Sequence, residues 1–352
     1  MKHIDLTVII PMYNEEDNVT QNLGRVSRVL KPLRIDWEIF VVDDGSTDDT
    51  ASKVKAFAQK NKNVRLVSYS PNQGRGKALR IGFDNARGEI ICTIDADLSY
   101  NESHIPRMYR VLEENPSVDL VIGSPYMPGG QARGVPAFRL WISKIGNKLL
   151  GFAMRGNLST VTGMLRAYRR DCIRSMELES DGKEIHLEIL SKAMAMGYKA
   201  KEMPATLGGR IKGKSKFKFR ATALSHIIFS FYEKPIMLFG FIGLVLMVLG
   251  FLGGMYVIYL WQVGNLNPDR PLMTLMVLLV LTGMQVLLFG FIGTQLVHLK
   301  REIYKTQREN KQLEAKLGSF LSAYEEYKQL EIEDVDKIKN MYHNQPISSK
   351  SG

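Results

Sequence analysis

Cysteine is almost absent from this chain, which contains Cys92 and Cys172 alone. Two thiols supply neither a disulfide framework nor the ligand spacing of a metal site, and this excludes a small disulfide-stabilised secreted domain. Cys92 lies in a predicted buried strand and is most simply a core residue. We therefore expect the soluble part of the protein to occupy a reducing compartment.

The amino terminus lacks the apolar core of a secretory signal peptide and runs directly into a predicted strand, so we expect no cleaved leader. Charged residues are missing from two apolar segments, 235–260 and 272–297. Each is long enough to cross a bilayer with some tilt, which predicts a membrane protein. Because neither segment has an ionisable residue before His298, a transporter or channel is disfavoured.

Short apolar, β-prone runs alternate with helical segments up to about residue 215. We predict strands over 6–10, 37–42, 64–69, 90–94 and 119–122, the first of them ended by Pro11. Asn14 and the segment 46–49 are candidate helix caps. This alternation predicts βαβ units, so we expect an α/β domain with a mostly parallel sheet over residues 1–215.

An acidic pair, Asp95-Ala96-Asp97, follows the fourth predicted strand. Ligands of open α/β sheets bind beyond the carboxyl ends of the strands. If the strand pattern continues, both carboxylates point to the same side, where their oxygens suit Mg²⁺ or Mn²⁺. An acidic turn without function is the alternative that this pair alone leaves open.

Two other predicted strands end in residues capable of chemistry. The first runs into Pro11, Tyr13 and Glu15, and the second into Asp43 and Asp44. In a parallel sheet these ends converge with the acidic pair on one edge. There a Tyr13 ring can face a nucleobase and Asp43 can accept from base or ribose groups. The alternative for 43–49 is an ordinary turn with a helix cap, and its spacing is not that of a calcium-binding EF-hand loop.

The segment 72–77 has the glycines of a phosphate loop but fits neither the dinucleotide fingerprint nor the Walker pattern. We interpret it as a glycine turn whose Arg75 and Lys77 face a diphosphate.

Four motifs in this order resemble glycosyltransferase family 2, which has the GT-A fold: Val-Ile-Ile-Pro-Met-Tyr-Asn-Glu, Val-Val-Asp-Asp-Gly-Ser-Thr-Asp, Asn-Gln-Gly-Arg-Gly-Lys-Ala-Leu and Asp-Ala-Asp-Leu. Within that family the chain looks like the branch of dolichol-phosphate mannose synthases and polyprenyl-phosphate glycosyltransferases, through residue 216. The resemblance implies a nucleotide-sugar donor and a divalent metal on Asp95 and Asp97. It implies a donor site formed by Pro11, Tyr13, Glu15, Asp43, Asp44, Lys77, Asp95, Ala96 and Asp97, with Arg210 and Lys216 closing over the diphosphate.

Two positions depart from that family pattern. Pro125 stands where the family has an arginine implicated in acceptor phosphate binding, and Ser159 stands where an aspartate is common. Arg139 matches a second acceptor arginine, and Arg133 lies in the same loop, able to replace the one lost. A phosphate acceptor, whose second pKa is near ~6, needs no general base. If a base exists, Glu188 is the candidate, and a glutamate on a helix surface is the alternative.

A run of basic residues over 210–220 precedes the first apolar segment in a chain of net charge +11. Nucleic acid is one partner for such a run, but its position beside a span favours an anionic lipid surface. Apolar residues at helical spacing then predict an amphipathic interfacial helix over 216–234. Basic residues flank both spans, 235–298, which places the catalytic domain and the carboxyl terminus in the cytoplasm, on the inner membrane, and the loop 261–271 outside.

The first span carries glycines that favour close helix packing, Gly240, Gly243, Gly250, Gly253 and Gly254. Beyond the second span, a helix over 299–344 has a heptad pattern in which Ile303, Asn310, Leu317 and Tyr324 alternate with Thr306, Leu313, Phe320 and Tyr327. A coiled coil between chains and a single amphipathic helix are both open interpretations, so a homo-oligomer could form through this helix or the spans. Residues 345–352 are predicted to be a disordered tail.

Together these features predict a membrane-anchored, metal-dependent glycosyltransferase that moves a sugar to a polyprenyl phosphate. A transferase acting on a hydroxyl-bearing membrane lipid is the alternative within the same class. A processive polysaccharide synthase is disfavoured, since the Gln-x-x-Arg-Trp motif is absent. A non-catalytic scaffold would be expected to lose the acidic pair, which is intact.

Overall fold

The computed structural model describes residues 3–134, 143–144, 147, 158–208, 234–265 and 271–343. The chain divides into two compact units, Met1–Tyr304 and Lys305–Gly352. Several sequence predictions fall outside the described residues. These are Arg139, Arg210, Lys216, the interfacial helix, part of the loop 261–271 and the carboxyl-terminal tail.

Strands and helices alternate in the first unit as predicted. The strands are β1 Leu6–Met12, β2 Trp37–Asp44, β3 Val64–Tyr69, β4 Ile90–Thr93, β5 Leu120–Ser124, β6 Gln131–Ala132, β7 Arg166–Arg169, β8 Ala200–Pro204 and β9 Thr206–Leu207. The helices are α1 Val19–Leu30, α2 Thr50–Lys60, α3 Arg75–Asn85, α4 His104–Glu114, α5 Arg170–Arg174, α6 Ile185–Ala195, α7 Pro235–Gln262 and α8 Pro271–His343.

The described strands form a seven-stranded sheet in the order β3-β2-β1-β4-β7-β5-β8. β7 runs antiparallel to β4 and β5, and the other pairs are parallel. The predicted mostly parallel sheet is therefore confirmed. A second, two-stranded sheet pairs β6 with β9.

Both faces of the central strands β1, β4 and β5 are covered, which explains why these strands are almost continuously apolar. Val8 and Ile10 of β1 belong to the core on the α1 and α4 face. Ile9 points the other way, into the core beneath α3 and α6. Each fully buried aliphatic side chain of this kind contributes about 1.5–3 kcal/mol relative to an exposed one.

Two local predictions were wrong. Pro11 does not end β1, which continues to Met12. Because β4 pairs with β1 only as far as Ile9, the missing amide of Pro11 removes no ladder bond on that side. Asn14 does not cap α1, which begins at Val19. It adopts φ 53°, a conformation that asparagine tolerates better than most residues, and its side chain bonds the neighbouring loop instead.

α7 and the first part of α8 are long and apolar enough to cross a membrane, with mean hydropathies of 2.6 and 2.5. Added Cβ atoms at Gly243 and Gly283 would lie 2.8 and 2.9 Å from each other's carbonyl oxygens, so the two backbones touch there. Gly250 is equally tight against Val280, whereas Gly253 has ordinary contacts. Close packing is thus observed at part of the predicted glycine set, and α8 continues unbroken beyond the predicted second span.

Candidate functional site

The carboxyl ends of β1, β2 and β4 meet at one edge of the sheet. β1 lies between the other two, with Met12 opposite Asp43 and Ile9 opposite Thr93. The segments that follow these strands, which carry the predicted donor-site residues, therefore start from neighbouring positions. This gathering was predicted from the strand ends alone.

Asp95 and Asp97 lie on the same side of the segment after β4. Ala96, Leu98 and Tyr100 are buried, while the residues between them are partly exposed. The backbone turns at Leu98, where φ is 48°, and Asp97 Oδ1 accepts a 2.9 Å hydrogen bond from the Ser99 amide. The alternation expected of the acidic pair is thus present although the strand itself ends at Thr93.

The pair fits a divalent metal whose remaining ligands are waters and the phosphate oxygens of the substrate. Among the described residues, no group of three or more histidine, cysteine, aspartate and glutamate side chains could hold a metal ion. Mg²⁺ characteristically keeps several waters and takes one or two carboxylates together with phosphate oxygens. Asp95 and Asp97 supply that number of carboxylates at an accessible edge.

Asp44 is, by contrast, enclosed by protein donors. Its carboxylate accepts from the Tyr69 hydroxyl at 2.7 Å, from Asn72 Nδ2 at 2.8 Å, and from the amides of Gln73 and Gly74 at 2.8 and 3.0 Å. Burial, followed by this bond to Asp44, raises the pKa of Tyr69 above its ordinary value. Asp44 is 4% exposed, so it anchors the turn before α3 rather than facing a ligand.

Asp43 and the residues after β1 are joined by a set of loop contacts. Asp43 Oδ1 accepts from the Ser46 amide at 3.2 Å, and Ser46 Oγ accepts from the Asn14 amide at 3.0 Å. The Glu15 amide donates to Thr50 Oγ1 at 2.8 Å. These bonds fix the two loops against each other, leaving Tyr13 as an exposed aromatic ring.

The turn before α3 is not built to hold phosphate through its amides. The amides of Gly76 and Lys77 donate to the Asp181 carbonyl at 2.7 and 3.3 Å. A Cβ on Gly76 would lie 2.3 Å from the Ser180 carbonyl oxygen, so glycine is required there for packing. This geometry agrees with a glycine turn, and it leaves the side chains of Arg75 and Lys77 as its basic groups.

Glu188 on α6 holds the segment that packs on this turn. Its carboxylate accepts from the amides of Glu179 and Ser180 at 2.9 and 2.8 Å and pairs with Lys192 at 2.7 Å. Burial acts to raise the pKa of Glu188, but the hydrogen bonds from Lys192, Ser180 and Glu179 together lower it. A strongly bonded, low-pKa carboxylate is a poor general base, so the geometry favours a positioning role.

Ser159, one of the two family departures, lies in a polar cluster with Ser124, the residue before the other departure. Ser124, just before Pro125, lies 2.7 Å from both Ser159 Oγ and Thr160 Oγ1. Glu202 of β8 accepts from the Ser159 amide and hydroxyl at 2.9 and 3.0 Å and from the Thr160 amide at 2.8 Å. A carboxylate, that of Glu202 in β8, thus lies beside Ser159, where the family pattern commonly has an aspartate. Sequence reasoning missed Glu202, since it lies in a β8 segment that has no marked strand pattern.

Arg133 is connected to the acidic pair through β9. Its amide donates to the Leu207 carbonyl at 2.8 Å, and the amide of Gly208, the residue after β9, donates to the Ser99 carbonyl at 2.7 Å. The exposed side chain of Arg133 bonds Gln131 at 2.9 Å. The structure therefore brings the backbone of Arg133 close to the turn that contains Asp97.

Comparison with known proteins gives a consistent result. The sequence model described as Glycosyl transferase family 2 matches residues 7–176. The chain is 33% identical over 217 residues to a dolichol-phosphate mannosyltransferase of Pyrococcus furiosus, covering 60% of this chain and 59% of that protein. It is 32% identical over 216 residues to the polyprenol monophosphomannose synthase of Mycolicibacterium smegmatis, covering 59% of this chain and 79% of the relative. An undecaprenyl-phosphate 4-deoxy-4-formamido-L-arabinose transferase of Enterobacter is 32% identical, with 61% and 63% covered.

Solved structures of the same fold include the glucosyl-3-phosphoglycerate synthase of Mycobacterium tuberculosis. Its complex with Mn²⁺, uridine diphosphate and phosphoglyceric acid is 21% identical, with a TM-score of 0.51 over 65% of this chain and 78% of that one. The complex with phosphoglyceric acid gives the same TM-score at 20% identity, over 65% and 80%. These matches confirm the predicted GT-A-like fold, and the sequence relatives show that the chain belongs to glycosyl transferase family 2.

Proposed function

We propose that this protein transfers a sugar from a nucleotide-sugar donor to a polyprenyl phosphate at a membrane, with the help of a divalent metal. The observation that carries the proposal is the partly exposed pair Asp95 and Asp97 at the sheet edge, in a chain whose relatives are named as transferases of this kind. The apolar helices α7 and α8 fit a lipid acceptor.

The donor would lie along the edge formed by β1, β2 and β4. Pro11, Tyr13, Glu15 and Asp43 follow or end the first two strands, so they suit the nucleoside, while Asp95, Ala96 and Asp97 suit the diphosphate end. A divalent ion on Asp95 and Asp97 would stabilise the charge of the leaving diphosphate. Lys77, Arg210 and Lys216 add positive charge for the same group.

An acceptor phosphate needs a cationic site rather than a base. Its second pKa is near ~6, so the nucleophile is largely ionised at neutral pH. The bonded state of Glu188 agrees with chemistry that uses no general base there. Arg133 and Arg139 are the proposed phosphate ligands, since arginine binds phosphate through strong, charge-assisted pairs.

The membrane arrangement follows from charge. Basic residues flank both apolar segments, which supports an orientation with the catalytic domain and the carboxyl terminus on the cytoplasmic face of the inner membrane. The basic run 210–220 then faces anionic lipid and holds the active edge near the acceptor. Labelling of single cysteines introduced in 261–271 and near the carboxyl terminus tests this orientation in intact cells.

A panel assay tests the activity. Purified protein in detergent is incubated with a set of nucleotide-sugars, Mg²⁺ or Mn²⁺, and undecaprenyl or dolichyl phosphate, and labelled lipid is measured. We expect transfer with one donor, lost on chelation. Transfer only to a hydroxyl-bearing lipid would overturn the acceptor proposal, and absence of turnover with every donor and lipid would favour a scaffold.

The acceptor residues are tested separately from the donor. Arg139→Ala and Arg133→Ala should impair transfer to polyprenyl phosphate far more than they weaken nucleotide binding. Arg110→Ala, at an exposed position of α4, is the control for loss of a basic residue. Equal losses of transfer and nucleotide binding would indicate a folding defect and contradict the acceptor role.

A further inference from the structure

Arg75 forms an ion pair with one member of the acidic pair. Its Nη2 lies 3.1 Å from Asp95 Oδ1, with the two side chains 36% and 17% exposed. The guanidinium therefore occupies a position beside the carboxylate that is proposed to bind a divalent ion.

The backbone that carries Arg75 is held in place from several sides. Gly74 before it has φ 101°, and the amide of Gly76 after it donates to the Asp181 carbonyl. Arg80, one turn along α3, pairs with Asp181 at 2.9 Å and bonds the Leu178 carbonyl at 3.0 Å. The reach of Arg75 toward Asp95 is thus set by a fixed turn.

We propose that Arg75 is a built-in counter-ion that competes with the divalent metal for Asp95 and is displaced when the metal binds. The proposal rests on the metal-dependent function proposed above. Without a metal, two carboxylates on the same side of a short segment repel each other, and the guanidinium neutralises one of them. With a metal, two cations cannot share Asp95 without mutual repulsion.

This exchange gives Arg75 a second use. A donor that arrives with the metal brings a diphosphate to the same edge. The displaced guanidinium then has an anionic partner nearby, so the diphosphate replaces Asp95 as its ion-pair partner. Arg75 thereby makes metal binding weak in the absence of donor.

The first test measures Mn²⁺ binding to the full-length protein in detergent, without donor, by electron paramagnetic resonance of the free ion. We expect Arg75→Gln to bind Mn²⁺ about three- to fivefold more tightly than the wild type, as suits loss of a partly exposed pair. Arg75→Lys, which keeps the charge, should stay within about twofold of the wild type. Arg65→Gln breaks a similar pair with Glu38, away from this edge, and should leave the affinity unchanged.

The second test compares melting temperatures in chelator and in Mn²⁺. Arg75→Gln should lower the melting temperature in chelator, because Asp95 loses its counter-ion, and the difference from the wild type should disappear in saturating Mn²⁺. An equal loss in both conditions would show a merely structural pair and overturn the proposal. Unchanged or weaker Mn²⁺ binding by Arg75→Gln would also overturn it, while absence of binding by every protein would overturn the metal site itself.

Discussion

Two acidic pairs lie at the same edge of the sheet, and their surroundings differ in kind. Asp43 and Asp44 end β2 and are 3% and 4% exposed, with Asp44 accepting from four neighbouring residues. Asp95 and Asp97 follow β4, are partly exposed, and interact with Arg75 and the Ser99 amide. Asp44 therefore anchors the edge, whereas Asp95 and Asp97 form the pair that we propose binds a ligand.

The difference shows that residue type at a strand end does not distinguish an anchor from a binding group. Both pairs follow apolar strands, and the family resemblance assigned both to the donor site. What separates them is how many protein donors each carboxylate already satisfies. A saturated, buried carboxylate has little capacity left for a metal or phosphate-bearing ligand.

The largest expected effect is on the partly exposed pair, Asp95 and Asp97. Asp97→Ala should reduce metal-dependent transfer by at least about a hundredfold, since it removes a group that holds the charge-stabilising ion. Turnover is measured over a range of Mn²⁺ concentrations, and folding by melting temperature. Asp84→Ala, at an exposed position of α3, is the matched control and should keep wild-type turnover. Activity of Asp97→Ala that persists in chelator would contradict the metal role.

At Asp44 we expect a loss of stability rather than a direct loss of metal-dependent transfer. Asp44→Ala leaves the hydrogen-bond donors of Tyr69, Asn72 and Gln73 without their acceptor, which should lower the free energy of unfolding by about 3 kcal/mol. Asp44→Asn keeps one acceptor oxygen and should lose less. Urea unfolding of the detergent-solubilised protein measures both. If Asp44→Ala keeps wild-type stability but loses nucleotide binding, the two pairs are alike and the comparison fails.

The sequence patterns predicted the strands of the sheet better than the hydrogen bonds that side chains make within the fold. The first five strands, β1 to β5, were predictable because apolar residues predominate in them. β7 was not, since Arg166–Arg169 reads as polar, yet Arg166 is fully buried and donates to the carbonyls of Gly163, Val161 and His186. These hydrogen-bond partners depend on tertiary contacts, which the periodicity of a sequence does not predict.

For the site, too, the location was easier to predict than the roles of its residues. Its place at the sheet edge follows from where β1, β2 and β4 end. The roles within it depend on distant partners, as with Glu188, whose bonds to Glu179 and Ser180 form only when a loop folds back on α6. Sequence alone named Glu188 as the base if one exists, with a helix-surface glutamate as the alternative, whereas the geometry favours an anchor.

An intermediate effect is expected at Glu188, which resembles Asp44 more than Asp97. Glu188→Gln keeps one of the two acceptor oxygens that serve the Glu179 and Ser180 amides, and it loses the charge that pairs with Lys192. We expect a loss in kcat of about tenfold or less, from a displaced turn before α3, with the pH-rate profile unchanged in shape. A general base would instead show a loss of about a hundredfold or more and the disappearance of an acidic limb from that profile.

The smallest expected effect concerns His104, a neutral imidazole that accepts a hydrogen bond near Asp95 and Asp97. His104 Nε2 accepts from the Thr206 amide at 3.0 Å, which holds the start of β9, the strand that leads to the Gly208–Ser99 contact. Burial, and then the nearby Arg107, lower the pKa of His104, and burial lowers the pKa of His186 well below its ordinary value. Both imidazoles are therefore neutral in the folded protein at pH 7.

The unfolded chain binds protons to these histidines before the folded one does, so stability is full above about pH 6.5 and declines as the pH falls below it. Between pH 7 and pH 5.5 we expect a loss of at most about 1 kcal/mol per histidine. The lowered pKa of Glu188 acts only below its ordinary value of 4.5, in a separate window. His104→Gln keeps an acceptor without titrating, so it should reduce the slope of unfolding free energy against pH. An unchanged slope would mean that protonation of His104 does not weaken β9.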